Sequence, residues 1–451
     1  MTANTQLKFE EARSFLLSLA KERGVQLEVF AQRGTETTVQ AFGGQVSEFK
    51  LSSKQGVGLR ALSNGAWGYA YTENLSRDAL SRAFRSAVEN AELVEPAPHA
   101  VLAAHAEPPA MDLFGEGLSG VTVERKVAVA LRLEQAAKES DARVVTVPYA
   151  EYSDGESETA VANTEGLDRA FKELHAYQYL GPLVAEDGQN KMKMAFQVTR
   201  EFEELDPTAT ALEATRKALA LLGARPAPSG VFPAVIENEC MALLLAVFSG
   251  IFSGKMVEEG KSPLASKLGE RIGSDLVTIL DDATLERGLS SRPFDAEGYP
   301  SAPVTLVQGG ELRGFLHNTE TAAKAGVSST GHASRPSYKG TVGVSPTNFV
   351  LASGEGTRDD LLTQLGTGLL LTDVQGVHAG ANPITGEFSL QAEGFWVENG
   401  VVAYPLDVFT VAGNFLDLLR SVEAVGSDTK MSIYGAIAPS VRISSINVGG
   451  Q

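Results

Sequence analysis

Residues 376–419 limit the folds open to this chain more than any other stretch. Asn382, Pro383, Thr385 and Gly386 supply turn chemistry, and Phe388, Leu390, Ala392, Gly394, Trp396 and Glu398 then fall on one face of a period-two run. The run ends at Asn399-Gly400, the strongest short hairpin signal, because both central residues of a type I′ turn need φ > 0. Residues 401–410 alternate again, so the return strand can be covered on both faces. Asn414 is a plausible N-cap for a helix over 415–422. This is the grammar of an antiparallel meander, and the rest of the chain is read around it.

Upstream the pattern switches between helical and strand periods. Residues 9–23 carry Phe9, Ala12, Leu16, Leu19 and Ala20 at three-to-four spacing, and Gly24 ends the helix they predict. Residues 25–72 alternate with period two, and breaks at Arg33-Gly34, Gly43-Gly44, 54–56 and 63–65 predict a meander of four or five strands. Residues 77–93 return to helical period, and 94–110, rich in Pro, Ala and His, read as a surface connection. A second helix at 121–140 is followed by strands at 144–150, 158–162, 170–178 and 191–198 and a helix at 209–222. Helix then meander, twice, suggests a duplication, without residue-level identity to support it. The run Ala224-Arg225-Pro226-Ala227-Pro228-Ser229-Gly230 disfavours helix and strand alike and reads as a linker.

The expected fold is therefore α+β in two domains. Residues 1–225 form an N-terminal helix-plus-antiparallel-meander domain, and 231–451 a C-terminal, mostly antiparallel β domain with flanking helices. In the second, 231–236 is a short strand, 239–253 a buried helix, and 304–307, 312–316, 341–344, 348–352, 367–372 and 441–448 are strands.

A length of 451 residues fits this division, being too long for one ordinary core. The formal net charge of −18 opposes a phosphate backbone, so direct nucleic-acid binding is not expected. The single cysteine, Cys240, cannot form an internal disulfide, and the polar N-terminus lacks the order of a signal peptide. The longest apolar run, 241–252, is about a dozen residues against the roughly 20 that a bilayer requires. A soluble, cytoplasmic protein with no membrane contact is the expectation.

Long motifs in one order carry a family resemblance. G-x-N-P-x-T-G-x-F-S, G-F-W-V-E-N-G and F-T-V-A-G-N-F-L-D-L-L in the meander, S-S-R-P-F-D-A-E-G at 290–298, T-G-H-A-S-R-P-S-Y at 330–338 and L-G-T-G-L-L-L-T at 365–372 resemble the TldD/PmbA metalloprotease family. In the TldD branch, the resemblance implies, an H-E-x-x-x-H helix and a cysteine near the C-terminus bind zinc. The corresponding helix here begins at Cys240 and holds no histidine; Glu239 is its nearest acidic group. The C-terminal segment reads Tyr434-Gly435 where that branch places its cysteine. The chain is thus identified as a member of the PmbA (TldE) branch, the subunit without the zinc motif. Implied are no catalytic or metal-binding residues of its own, zinc in a TldD-like partner subunit, and unfolded peptide as substrate.

Six residues are candidates for lining a peptide channel. His332, Arg335 and Tyr338 sit in the 330–338 motif, which is either a channel-lining loop or a turn between strands. Asn382, Thr385 and Phe388 begin the meander, whose strand either offers an edge to an extended peptide or is central and fully paired. Two other readings stay open: a self-contained metallohydrolase built on His317, His332 and His378, or a homodimeric binding or assembly protein. Cys240 beside Met241 and a leucine run reads as a core residue. Asp281-Asp282 and Glu258-Glu259 read as solvated charges, since adjacent side chains point in different directions.

Overall fold

A computed structural model describes residues 6–97, 99–104, 106–118 and 120–450. Part of the N-terminal segment read for a signal peptide (residues 1–5) and His105 lie outside them. Helix α1 (Phe9–Arg23) ends on Gly24 in the left-handed conformation, as its sequence predicts. Strands β1 (Gln26–Phe42), β2 (Gln45–Ser63) and β3 (Ala66–Thr72) and helix α2 (Arg77–Ala91) complete a first unit. Helix α3 (Val123–Ser140), strands β4 (Val144–Asn163), β5 (Asp168–Glu186), β6 (Gln189–Met192) and β7 (Ala195–Thr199) and helix α4 (Pro207–Leu219) form a second. The order β3-β2-β1-β4-β5-β6, with β7 also on β5, makes one seven-stranded antiparallel sheet in which the two units meet at β1 and β4. The repeated pattern of helix, meander and helix is therefore a duplication of architecture.

The first unit has three long strands in place of the four or five expected. Gly43-Gly44 and Asn64-Gly65 are turns with positive φ, but Gly34 and Gly56 lie inside strands. A Cβ on Gly34 would stand 2.8 Å from the Glu156 carbonyl oxygen, and one on Gly56 2.3 Å from the Tyr338 ring. These glycines permit close packing on a pleated surface, a use that sequence cannot tell from a turn.

The C-terminal half is built around a closed ring of strands. Strand β8 (Gly230–Ile236) pairs in parallel with Gly368–Gln375 and antiparallel with Val441–Gly449. Val441–Gly449 pairs with Phe409–Asn414, that strand with Glu387–Glu398, and Glu387–Glu398 with Gly368–Gln375. Five strands thus close on themselves, leaving no edge within the ring. Helix α5 (Asn238–Phe248) packs between this barrel and a second sheet that includes Ile279–Asp281 and Phe349–Leu351. Its Cys240, Met241, Leu244, Leu245 and Phe248 are buried, and Phe248 stacks on Phe415 at 4.7 Å. A helix apolar on most faces can only be stable with neighbours on all sides.

Among the charge contacts that join the halves are three networks. Buried Arg60 of β2 lies between Glu28 of β1 at 2.7 Å and Glu297 at 2.8 Å, while Arg335 pairs with the other Glu28 oxygen. Burial acts to lower the Arg60 pKa, but Glu28 and then Glu297 outweigh it and hold it above its ordinary value. On α4, Lys217 reaches Glu239 at 2.7 Å, and Lys430 closes a square with Glu213 and Glu239. Lys193 pairs with Glu393 at 2.8 Å and with Asp373. The proline-rich run 224–230 is itself docked, with Arg225 N–H donating to Pro405 O at 3.0 Å and Asp407 N–H donating to Arg225 O at 2.7 Å. Replacing Arg60 by Ala would leave buried Glu297 without its charged partner and Glu28 with Arg335 alone, at an expected cost of about 3–5 kcal/mol. Chemical denaturation checks this, and a loss below about 1 kcal/mol would mean that the network is solvated.

Candidate functional site

The motif residues of 330–338 form a clasp between the halves. Ala333–Ser334 pairs with Gly343–Val344 in a short hairpin, and the intervening turn lies against the N-terminal sheet. Arg335 is buried, paired with Glu28 and placed over the Phe30 ring at 5.1 Å. Tyr338 packs over Gly56 and Gly58, and its hydroxyl donates to Glu73 at 2.9 Å. His332 has no exposed surface; its Nε2 lies 2.8 Å from Asp281 Oδ1 and its Nδ1 2.9 Å from the Thr330 hydroxyl. Asp281 is fully buried and also accepts from the Thr347 N–H at 2.7 Å and the Thr347 hydroxyl. The expectation of a solvated Asp281 is corrected: three donors replace water around this carboxylate.

The other three candidates diverge. Phe388 is buried 6.2 Å from Phe248. Asn382 and Thr385 occupy an exposed turn, where Asn382 Oδ1 accepts from Ile384 N–H at 3.0 Å and Thr385 O accepts from Asn414 Nδ2 at 2.9 Å. Strand Glu387–Glu398 is paired on both sides, by Phe409–Asn414 and Val401–Pro405 along one edge and by Ala381–Asn382 and Gly368–Gln375 along the other. It has no free edge for an added peptide strand.

Beside this turn lies a cleft of about 400 Å³ at the C-terminal end of α5. Ala246, Val247 and Ser249 form its floor, Pro346, Thr347 and Phe349 one wall, and Val377, His378, Ala381 and Pro383 another. Tyr434, 57% exposed, stands at its mouth in a turn closed by Gly435, whose φ is +84°. Segments far apart in sequence thus converge: the end of the α5 helix, residues 346–349, the start of the meander, and the Tyr434-Gly435 turn. Tyr434-Gly435 and the helix were legible as counterparts of a metal site; His378 was legible only as one of three scattered histidines of an alternative site, and Pro346 carried no signal of its own.

The donor set does not suit zinc, which needs at least three nitrogen, sulfur or carboxylate ligands from protein. The lining holds one imidazole, His378, and no carboxylate or thiol. Glu239 points away, held by Lys217 and Lys430; burial would raise its pKa, but these lysines keep it below the usual value. Among the described residues no group of three or more His, Cys, Asp and Glu side chains could hold a metal. His317 and His332 are neighbours, yet His317 Nδ1 lies 3.1 Å from the Thr321 hydroxyl, and burial, then His332, lower its pKa. His378 joins neither. Burial raises the Cys240 thiol well above its ordinary pKa, as expected of a core cysteine.

The clasp geometry orders two substitutions. A Cβ on Gly58 would stand 2.1 Å from the Tyr338 carbonyl oxygen, so Gly58→Ala should destabilise by about 1–3 kcal/mol or more. Tyr338→Phe removes one hydrogen bond and should cost about 1 kcal/mol. Denaturation midpoints test the order, and a reversed ranking contradicts the packing described.

Comparison with known proteins places this geometry. Three family profiles match: PmbA/TldA metallopeptidase domain 1 at residues 27–91, the central domain at 116–222 and the C-terminal domain at 229–450. Metalloprotease PmbA of Escherichia coli O157:H7 is 28% identical over 449 residues, 98% of this chain and 96% of that protein. A Haemophilus influenzae PmbA homologue is 27% identical over 426 residues, covering 93% of this chain and 92% of its own length. A crystallised Thermotoga maritima protein, described as a candidate modulator of DNA gyrase, is 32% identical with a TM-score of 0.92, covering 98% of this chain and 100% of that one. TldE from Thermococcus kodakarensis shares the fold with a TM-score of 0.87 at 23% identity, over 97% of this chain and 100% of that one.

Proposed function

This chain belongs to the PmbA/TldD metallopeptidase family, and from that premise we propose that it is the non-catalytic, PmbA/TldE-type subunit of a zinc metalloprotease. In this reading a TldD-like partner supplies the zinc and cleaves the bond, while this chain helps to enclose the reaction space and grips an unfolded peptide. The observation that carries the reading is the cleft at the end of α5, which keeps a peptide-sized hollow and offers one imidazole where a metal needs three ligands. No hydrolytic step is assigned to this chain's residues.

The grip comes from side chains. With Glu387–Glu398 fully paired, an extended peptide is held by inserting an apolar side chain between Val247, Phe349 and Val377. His378 and Tyr434, which line the cleft, offer hydrogen bonds with little sequence demand, and Asn382 and Thr385 lie in the adjacent turn. A division at about residues 225–231 and a cytoplasmic location complete the proposal; no helix among the described residues is long and apolar enough to cross a membrane.

The experiment is hydrolysis of a disordered peptide by this chain, by a TldD-like protein, and by both. Activity is expected only with the partner, and elemental analysis of this chain should find zinc well below one equivalent. Val247→Trp, which fills the cleft, should lower partner-dependent kcat/KM about tenfold or more while the complex still forms. Cleavage by this chain alone that a chelator abolishes would overturn the subunit assignment.

A further inference from the structure

The 330–338 clasp and the cleft are continuous along the chain. In the clasp hairpin Ala333–Ser334 pairs with Gly343–Val344, and Ser345 N–H donates to His332 O at 3.2 Å. The return strand then runs directly into Pro346 and Thr347, one wall of the cleft. The tip of the hairpin rests on the N-terminal sheet through Arg335 and Tyr338. One segment thus meets the first half at its tip and the cleft at its end.

That wall is pinned from behind. Strand Ile279–Asp281 pairs antiparallel with Phe349–Leu351, which puts Asp281 opposite Phe349. The Asp281 carboxylate accepts from the Thr347 N–H at 2.7 Å and from the Thr347 hydroxyl, and His332 Nε2 stands 2.8 Å from its Oδ1. A carboxylate can only accept, so Nε2 carries the proton of this bond, while Nδ1 faces the Thr330 hydroxyl at 2.9 Å. Asn348, fully buried, donates to Asp282 O at 2.7 Å and accepts at 3.0 Å from the N–H of Ser290, another lining residue. Asp281 and His332 themselves have no exposed surface; Thr347, 5% exposed, is the one of the three that lines the cleft.

Stability alone does not account for such a pair. Replacing a buried ion pair by packed apolar side chains is often neutral or stabilising, whereas groups that must meet at hydrogen-bond distance admit one arrangement of the elements that carry them. The elements here are the clasp through His332, the second sheet through Asp281 and the cleft wall through Thr347. A displacement of His332 by about 1 Å takes it out of hydrogen-bond range.

We propose that the Asp281–His332 pair is a positioning device for the Pro346–Thr347 wall, through which the seating of the clasp on the N-terminal sheet sets the shape of the cleft. Its consequence for peptide rests on the reading that the cleft grips peptide; the positioning itself does not.

Hydrogen exchange of the full chain, followed by mass spectrometry over residues 345–349, tests the positioning alone. His332→Asn leaves Asp281 without its ring donor and should lower protection of the Thr347 amide about fivefold or more, the worth of one hydrogen bond. His332→Gln, whose amide can reach Asp281, should restore much of it, which a general loss of packing would not allow. Thr347→Val, the milder change, removes only the hydroxyl bond and should lower protection too. Combined with His332→Asn it should add less than its separate effect, because both act through Asp281. Tyr338→Ala, at the hairpin tip, should raise exchange at the same amide. Fluorescence anisotropy with a labelled disordered peptide carrying leucine and phenylalanine then reads the consequence: His332→Asn, remote from the cleft surface, should weaken binding about fivefold or more. A wild type that does not bind this peptide removes the grip reading, while exchange at Thr347 still decides the positioning. Unchanged protection in His332→Asn or Tyr338→Ala, or strictly additive effects in the double variant, would overturn the proposal.

Discussion

Arg60 between Glu28 and Glu297 is the contact on which the joining of the two halves depends. An exposed ion pair contributes at most about 1 kcal/mol, but a buried charge left without its partner costs several. Glu28 and Arg60 come from the N-terminal sheet, Glu297 and Arg335 from the C-terminal half. Glu28 and Arg60 pair within the N-terminal sheet, and each takes a second partner from the C-terminal half, Arg335 and Glu297. The same argument applies with less burial to Lys217, Lys430, Glu213 and Glu239, where α4 meets α5. The relative position of the sheet and the barrel is therefore fixed by charge neutralisation as well as by apolar contact, and the 330–338 motif reads as the clasp that seals it.

That fixed frame gives the cleft its shape. Helix α5 is held from the N-terminal half through Glu239 at its start, and Phe248 at its end stacks on Phe415 against the barrel. Only the last turn, Ala246, Val247 and Ser249, reaches the hollow. Gly376 in the left-handed conformation starts the short helix that carries His378, and the turn at Gly435 brings Tyr434 in from the far end of the chain. Each approach relies on a glycine with positive φ, which other residues adopt only with strain.

Much of this was legible in the sequence where local chemistry decides the outcome. Asn399-Gly400 marked its hairpin, with φ of +53° and +76°, and Gly24 marked the end of α1. The long apolar helix was legible as buried. What stayed hidden depends on distant partners. Gly34 and Gly56 resembled turns because their role is set by Glu156 and Tyr338, more than a hundred residues away. Asp281 resembled a surface charge because His332 and Thr347 are invisible to a local window. The closure of the barrel depends on a parallel pairing between β8 and Gly368–Gln375 across about 130 residues, which no turn signal announces.

The absence of histidine from α5 also has a structural consequence. A ligating imidazole must face an open site and be oriented by a second hydrogen bond, so a helix that carries two must give up apolar contact along that face. In this chain the helix buries Met241, Leu244, Leu245 and Phe248, each contributing roughly 1.5–3 kcal/mol when fully covered. Phe252, just beyond it, packs on Phe349 at 5.4 Å and ties the helix to the second sheet. The helix thus acts as a strut for the cleft. A hollow walled by such a strut keeps its form through apolar packing.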